Sequence, residues 1–334
     1  MTDQHSTDPT DDTAVPLDVQ SVAAHGRAVL EEVGTAVGGM HDALRTALAA
    51  ILAGGPGLFE DVPGLGKTLA ARCLATTLGL DFRRVQGTPD LLPSDLTGSA
   101  VFDPARAAFE FRPGPVFTGL LLADEINRTA PKTQSALLEA MAERHVTVDG
   151  TTHRLPAPFH VMATSNPVEY EGTYPLPEAQ LDRFMVRLSV GYPERSGEVD
   201  VLARRLDRRT ELAQVRRVVD ARTLLAMQAG VEAVPVDPDV LAYCVDLAAA
   251  TRSHPAVEVG ASPRGSQALV LVARALAVLS GRDFVAPEDV KEVAVAALAH
   301  RISLSPQAWA AGFAPRQVVE EVVTRVAGPA TTRA

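Results

Sequence analysis

Residues 61–68 read Asp61-Val62-Pro63-Gly64-Leu65-Gly66-Lys67-Thr68. The apolar pair Leu58-Phe59 runs into this tight turn, where small residues let backbone N–H groups close around phosphate oxygens. A helix that begins near Lys67 aims its positive N-terminal end at the same anion. Lys67 can reach terminal phosphates, and the Thr68 hydroxyl can sit on Mg²⁺. The general pattern G-x-x-x-x-G-K-[ST] has glycine where this chain has Asp61. Asp61 precedes the turn, so the cradle of Val62, Pro63, Gly64, Leu65, Gly66, Lys67 and Thr68, with Leu69 behind it, is kept. Taken alone, a Gly-Lys-Thr at a helix start also arises by chance.

A second group carries the complementary chemistry. Residues 119–125 read Gly-Leu-Leu-Leu-Ala-Asp-Glu. The apolar run suits a strand buried on both faces of a parallel sheet, whose carboxyl end is where α/β proteins place ligands. There Asp124 can hold Mg²⁺ through water, and Glu125 can polarise an attacking water. The plainer reading is a buried strand that ends in solvated acids. Downstream of a phosphate loop, the catalytic reading gains weight.

Three further residues have two readings each. Asn166 ends the apolar segment Val161-Met162-Ala163-Thr164-Ser165-Asn166 and can orient water against a phosphate, but Asn166-Pro167 is also an ordinary turn. Arg183, in Leu181-Asp182-Arg183-Phe184, can stabilise charge on a transferring phosphoryl group, or pair with Asp182 at the surface. Arg264 opens a long helix, where a cation opposes the dipole; a bound phosphate would explain it, and so would plain solvation.

These residues need a scaffold, and the chain supplies one. Its 334 residues suit one large or two ordinary domains. Apolar residues at 46% and charged residues at 22% are globular values; aromatics at 4% leave the cores to Leu, Val and Ala. Strand-like segments recur at Phe82–Gln86, His160–Thr164 and Val186–Val190, alternating with helical spacing at 21–53 (broken at Gly34, Gly38 and Gly39), Thr68–Leu78 and Lys132–Ala142. That alternation predicts an α/β domain with a parallel sheet over 21–192. Two hairpins interrupt it. Ser99–Phe102 and Ala108–Phe111 flank Asp103-Pro104-Ala105-Arg106, and Val146–Val148 and His153–Leu155 flank Asp149-Gly150, a type I′ turn signal. After Pro193 only helical spacing remains, with starts at Pro287 and Ser305-Pro306. Residues 193–334 therefore read as a small all-α domain.

Net charge is −10, and half of it comes from Asp3, Asp8, Asp11, Asp12 and Asp18 in a tail (1–20) that reads as disordered. The acidic body weighs against a nucleic-acid-tracking surface. Cys73 and Cys244, alone in helical segments, read as small buried side chains in a reducing compartment. The polar start does not resemble a secretory signal, and the run Leu269–Leu279, broken by Arg274, is too short to span a bilayer. A cytoplasmic location is expected.

Several motifs occur together and in order: Val-Pro-Gly-Leu-Gly-Lys-Thr (62–68), Gly-Thr-Pro-Asp-Leu-Leu-Pro-Ser-Asp-Leu-Thr-Gly (87–98), Asp-Glu-Ile-Asn-Arg (124–128), Pro-Lys-Thr-Gln-Ser-Ala-Leu-Leu-Glu-Ala-Met (131–141), Ala-Thr-Ser-Asn-Pro (163–167), Glu-Ala-Gln-Leu-Asp-Arg-Phe (178–184) and Gly-Ala-Ser-Pro-Arg (260–264). Through them the chain closely resembles the MoxR family of AAA+ ATPases, in the helix-2-insert clade, over about residues 30–305. The resemblance implies an αβα nucleotide-binding domain followed by a helical lid. It implies inserts at 95–112 and 145–155 and an adenine pocket lined by Val37 and Gly38. It makes Asn166 sensor 1, Arg183 an arginine finger acting in the neighbouring subunit, and Arg264 sensor 2. Glutamine is common in the family where this chain has Gly39, and a longer aliphatic strand where it has Gly55-Pro56-Gly57.

The resulting expectation is a ring-forming, hexameric ATPase. Thr68 and Asp124 hold Mg²⁺, Glu125 is the base, and Lys67 neutralises ATP phosphate charge. The resemblance further implies remodelling of protein partners, often with von Willebrand factor A domains, in complex assembly or metal-cofactor insertion. A metal-chelatase ATPase subunit is the alternative. A DNA-translocating motor or an ATP-binding switch without hydrolysis is disfavoured by the acidic body and by an intact Glu125 and Arg183.

Overall fold

The computed structural model describes residues 14–167, 172–192, 195–208 and 214–329. Most of the expected tail (1–13), Tyr170 in the loop before Arg183, Pro193 at the expected boundary and the last residues, 330–334, lie outside them. Helices α1 (Val19–Ala36) and α2 (His41–Leu52) precede the first strand. Asp18, counted with the tail on sequence, is the N-cap of α1: its carboxylate accepts from Ser21 N at 2.9 Å. The expected break at Gly34 is absent, and α1 runs on to Ala36. A helical glycine costs about 1 kcal/mol against alanine, less than burying Val33 and Ala36 returns.

Next come β1 (Gly57–Glu60), α3 (Lys67–Thr77), β2 (Phe82–Gln86) and the short α4 (Pro93–Thr97). Strands β3 (Gly98–Asp103) and β4 (Ala108–Pro113) form the first hairpin, and β5 (Leu120–Asp124) and α5 (Pro131–Glu143) follow. The second hairpin is β6 (His145–Val148) and β7 (Thr151–Arg154), turning at Asp149 (φ 48°) and Gly150 (φ 80°) as its sequence predicts. Strand β8 (His160–Ser165), the short α6 (Glu178–Leu181) and β9 (Val186–Leu188) complete this part.

Five strands make one parallel sheet in the order β2-β5-β8-β1-β9. Its faces alternate as a pleated ladder requires. Phe59, Leu120, Leu122 and Met162 enter one core with residues of α1, α2 and α3. Leu58, Leu121, Ala123, Val161 and Ala163 enter the other, beneath Leu96 of α4 and Leu137 and Leu138 of α5. Every residue of β5 is buried, so this strand fixes its own terminal acid.

The helical part comprises α7 (Arg195–Arg208), α8 (Ala221–Glu232), α9 (Pro238–Arg252), α10 (Pro263–Leu279), α11 (Pro287–Leu298), α12 (Pro306–Ala310) and α13 (Pro315–Arg325). Among its described residues it contains one short antiparallel ladder, β10 (Val257–Val259) with β11 (Ser303–Leu304), too brief to show a period of two in sequence. Helix α10 packs against α1, α2, α9 and α11, so a single apolar core continues from the sheet into the helices. Its Arg274 is buried and paired with Glu232. No described helix is long and apolar enough to cross a membrane. Cys73 and Cys244 are free and buried, and burial pushes the Cys244 thiol up to about 12.

Candidate active site

The loop between β1 and α3 has Gly64 at φ 86° and Gly66 at φ 81°, left-handed values that favour glycine. A Cβ at either would meet nothing within 4 Å, so both are glycine for conformation and the space before them is open. Lys67 is the first residue of α3, buried, with Nζ donating to the Asp61 carbonyl at 2.6 Å. Burial lowers its pKa, against the opposing pull of Asp61, Asp124, Glu125 and Glu60. Asp61, the departure from the glycine pattern, has structural work of its own. Its carboxylate accepts from Gly191 N at 2.9 Å, Ser189 Oγ at 3.1 Å and Val190 N at 2.5 Å. It pins the segment after β9 against the loop.

Parallel pairing sets Gln86 of β2 opposite Asp124 and aligns β8 beside β5. Thr164 of β8 then bridges the two acids: its hydroxyl donates to Asp124 Oδ1 at 2.5 Å and accepts from Glu125 N at 2.8 Å. Glu125 lies at φ 55°, uncommon for a residue with a side chain. Its carbonyl sits so close to Gly87 that a Cβ there would be 2.2 Å away. Glu125 Oε2 accepts from Gln86 Nε2 at 2.7 Å and Arg128 Nη1 at 3.2 Å. Asp124 Oδ2 accepts from Thr68 Oγ1 at 3.1 Å and from Arg84 Nε at 2.9 Å, and Arg84 Nη2 is 2.7 Å from the same oxygen.

Two recesses meet at this loop. One, of about 210 Å³, is walled by Pro63 to Thr68, Arg84, Asp124, Glu125, Thr164, Ser165 and Asn166. The other, of about 360 Å³ and mostly apolar, is walled by Val37, Gly38, Met40, Leu69, Tyr192, Val201 and Leu202 among others, and shares Pro63 to Gly66. A polar compartment joined to an apolar one suits a molecule with an anionic end and a flat apolar end. Among the described residues no group of three or more His, Cys, Asp or Glu could hold a metal ion. The oxygens of Thr68 and Asp124 fit Mg²⁺, which takes its remaining ligands from phosphate and water.

The structure thus brings together Val37, Gly38, Pro63, Gly64, Leu65, Gly66, Lys67, Thr68, Leu69, Asp124, Glu125 and Asn166. Val62 lines neither recess; its N–H is 3.2 Å from Asp61 Oδ1. Asn166 is buried, and its carbonyl accepts from Asn127 Nδ2 at 3.2 Å. Arg183 and Arg264 wall neither recess. Arg183 is exposed, and Arg264 Nη1 lies 3.6 Å from Asp182 Oδ2. Sequence reasoning missed Arg84, Gln86 and Thr164. Only the alternation of β2, with Arg84 and Gln86 on one face, could have signalled the first two.

A family model described as "ATPase family associated with various cellular activities (AAA)" matches residues 57–186, and one described as "AAA lid domain" matches residues 249–323. The uncharacterized protein YeaC of Bacillus subtilis is 48% identical over 304 residues, which cover 91% of this chain and 94% of that protein. Chaperone MoxR1 of Mycobacterium tuberculosis is 40% identical over 312 residues, 91% of this chain and 82% of its own length. A crystal structure from Cytophaga hutchinsonii matches with a TM-score of 0.86 at 41% identity, covering 93% of this chain and 97% of that one.

Proposed function

The chain belongs to the MoxR family of AAA+ ATPases, and from that premise we propose that it hydrolyses ATP with Mg²⁺ to remodel partner proteins as a ring, of six subunits by family resemblance. One observation carries the reading: the Thr164 hydroxyl holds Asp124 and the Glu125 backbone at the mouth of the glycine loop. The loop N–H groups and Lys67 receive the phosphates, and the apolar recess at Val37, Gly38 and Leu69 receives the purine. Mg²⁺, when bound between Thr68 and Asp124, supplies charge neutralisation at the phosphates. Glu125 takes the proton of the attacking water and Asn166 orients that water. Arg183, solvent-facing in the single chain, serves the site of the next subunit, and Arg264 reports the nucleotide to the lid. The partner class is a protein with a von Willebrand factor A domain; a relative bearing the name chaperone supports work on proteins.

Phosphate release by wild type and Glu125→Gln tests the chemistry. The amide cannot accept the proton, so turnover should fall by 10²-fold or more, on the order of general-base catalysis, with ATP binding retained. Turnover at the wild-type rate would remove Glu125 from the role.

A further inference from the structure

The segment from Asp182 to Met185 bonds through its own backbone to Glu178, Gln180, Leu181 and Pro56. Its carbonyls and the Asp182 carboxylate are held by residues of the helical part, Arg301 foremost. Arg301, between α11 and β11, is 3% exposed at its side chain. Its Nε donates to Asp182 Oδ1 at 3.0 Å, and its Nη2 donates to the carbonyls of Asp182 at 3.2 Å and Phe184 at 2.7 Å. Nη1 reaches the Met185 carbonyl at 3.3 Å and bonds the Ala297 carbonyl, anchoring the fork to the end of α11. His300 Nε2 lies 3.0 Å from the Phe184 carbonyl. Asp182 also accepts from Ser262 Oγ at 2.9 and 3.1 Å, and faces Arg264. Phe184 is fully buried in the second core. The peptide is therefore fixed on both sides of Arg183, whose own side chain alone projects into solvent.

We propose that Asp182 and Arg301 are positioning residues for Arg183: the lid, through the Arg301 fork, sets the direction in which each subunit presents its arginine to the neighbouring site. Desolvating a guanidinium to bind four carbonyls and a carboxylate is expensive unless geometry is the gain, and a planar fork delivers geometry. Because Ser262 and Arg264 end on the same Asp182 carboxylate, a lid movement that follows the nucleotide also moves the base of the finger. The inference rests on the reading of Arg183 as a finger acting in trans.

Mixed assemblies of the full chain test it. Arg301→Lys keeps the charge but cannot serve Asp182, Phe184 and Met185 together, and it leaves the Asp182–Arg264 pair in place. Asp182→Asn keeps shape but not charge. Each should lower kcat by about 10²-fold, the scale of a misplaced catalytic group, with KM for ATP changed far less. Adding Glu125→Gln protomers, which lack the base but carry an intact Asp182–Arg301 pair, should restore turnover. Arg183→Ala mixed with Glu125→Gln is the control. If the control is rescued and the Asp182 and Arg301 variants are not, positioning is overturned while the finger in trans stands. If the control fails as well, the trans reading falls and the inference with it. Wild-type kcat in both variants overturns it, and so does failure of both to assemble where Arg183→Ala assembles, since the contact would then belong to the fold alone.

Discussion

The Thr164 hydroxyl joins two functions in one atom, since it orients the Asp124 carboxylate and satisfies the Glu125 N–H. Thr164→Val keeps the shape and removes both bonds. A buried donor left without a partner costs about 1–3 kcal/mol, and the left-handed Glu125 would lose a restraint. The melting temperature should fall, and kcat should fall more steeply than ATP affinity, as thermal melts and steady-state kinetics would register. Asp61 makes the opposite point about motifs. Asp61→Gly would match the general loop pattern better, yet it frees Ser189, Val190 and Gly191 beside the apolar recess. A hydrogen bond to a charged group contributes about 1.5–3 kcal/mol, so ATP should bind roughly tenfold more weakly or worse in a fluorescent-nucleotide titration. Unchanged affinity would mean that the strap after β9 is not held by Asp61. The loop and the two acids were legible because spacing along one segment carries their chemistry. Thr164 read only as part of a strand and Arg301 carried no signal at all, because their partners lie 40 and 119 residues away in sequence.

At the scale of elements, the two hairpins meet: Phe111 of β4 stacks on His153 of β7 with ring centroids 3.7 Å apart and 14° between planes. Phe102 and Phe109, in edge contact on the first hairpin, are 50% and 73% exposed, an unusual state for aromatic rings that face no partner. The turns of both hairpins were readable from turn chemistry, but β7 begins at Thr151, directly after Asp149-Gly150, and not at His153 as expected. The stack between the hairpins was not readable, since no local pattern couples residue 111 to 153. We expect the pair to work as one unit that grips a partner protein. Replacing Asp149-Gly150 by Ala-Ala puts alanine at two left-handed positions, each strained by about 1–2 kcal/mol. Basal ATPase should persist, because neither residue walls either recess, while partner remodelling should drop. Full remodelling by a folded, assembled variant would dissociate the hairpins from client work.

For the molecule as a whole, two imidazoles are kept neutral inside. Burial, helped by Arg144, pushes His160 down to about 3, and burial with Arg301 beside it holds His300 well below the usual range. Free histidine titrates near 6.5, so below about pH 6.5 the unfolded chain binds protons that the folded chain refuses. Each group's contribution is fully present above that pH and is lost as pH falls below it, for His160 down to about 3, by up to about 1.4 kcal/mol per pH unit. His160→Gln should flatten the decline of melting temperature between neutral and acid pH; an unchanged slope would show that His160 titrates freely.

The order in which the chain is made adds a consequence of the packing of α1 and α2 on α10. Val22, Val29, Leu44 and Leu48 are synthesised early, yet they are covered in part by a helix that begins at Pro263. At about 5–20 residues per second, that helix leaves the ribosome roughly ten to forty seconds after α2. Strand β1 waits likewise for β8 and β9 on its two edges. The glycine loop that hangs from β1 is thus among the first segments translated and among the last to find its walls. Any fragment released before residue 263 displays the apolar stripe of its own opening helices, the kind of surface that holdase chaperones recognise.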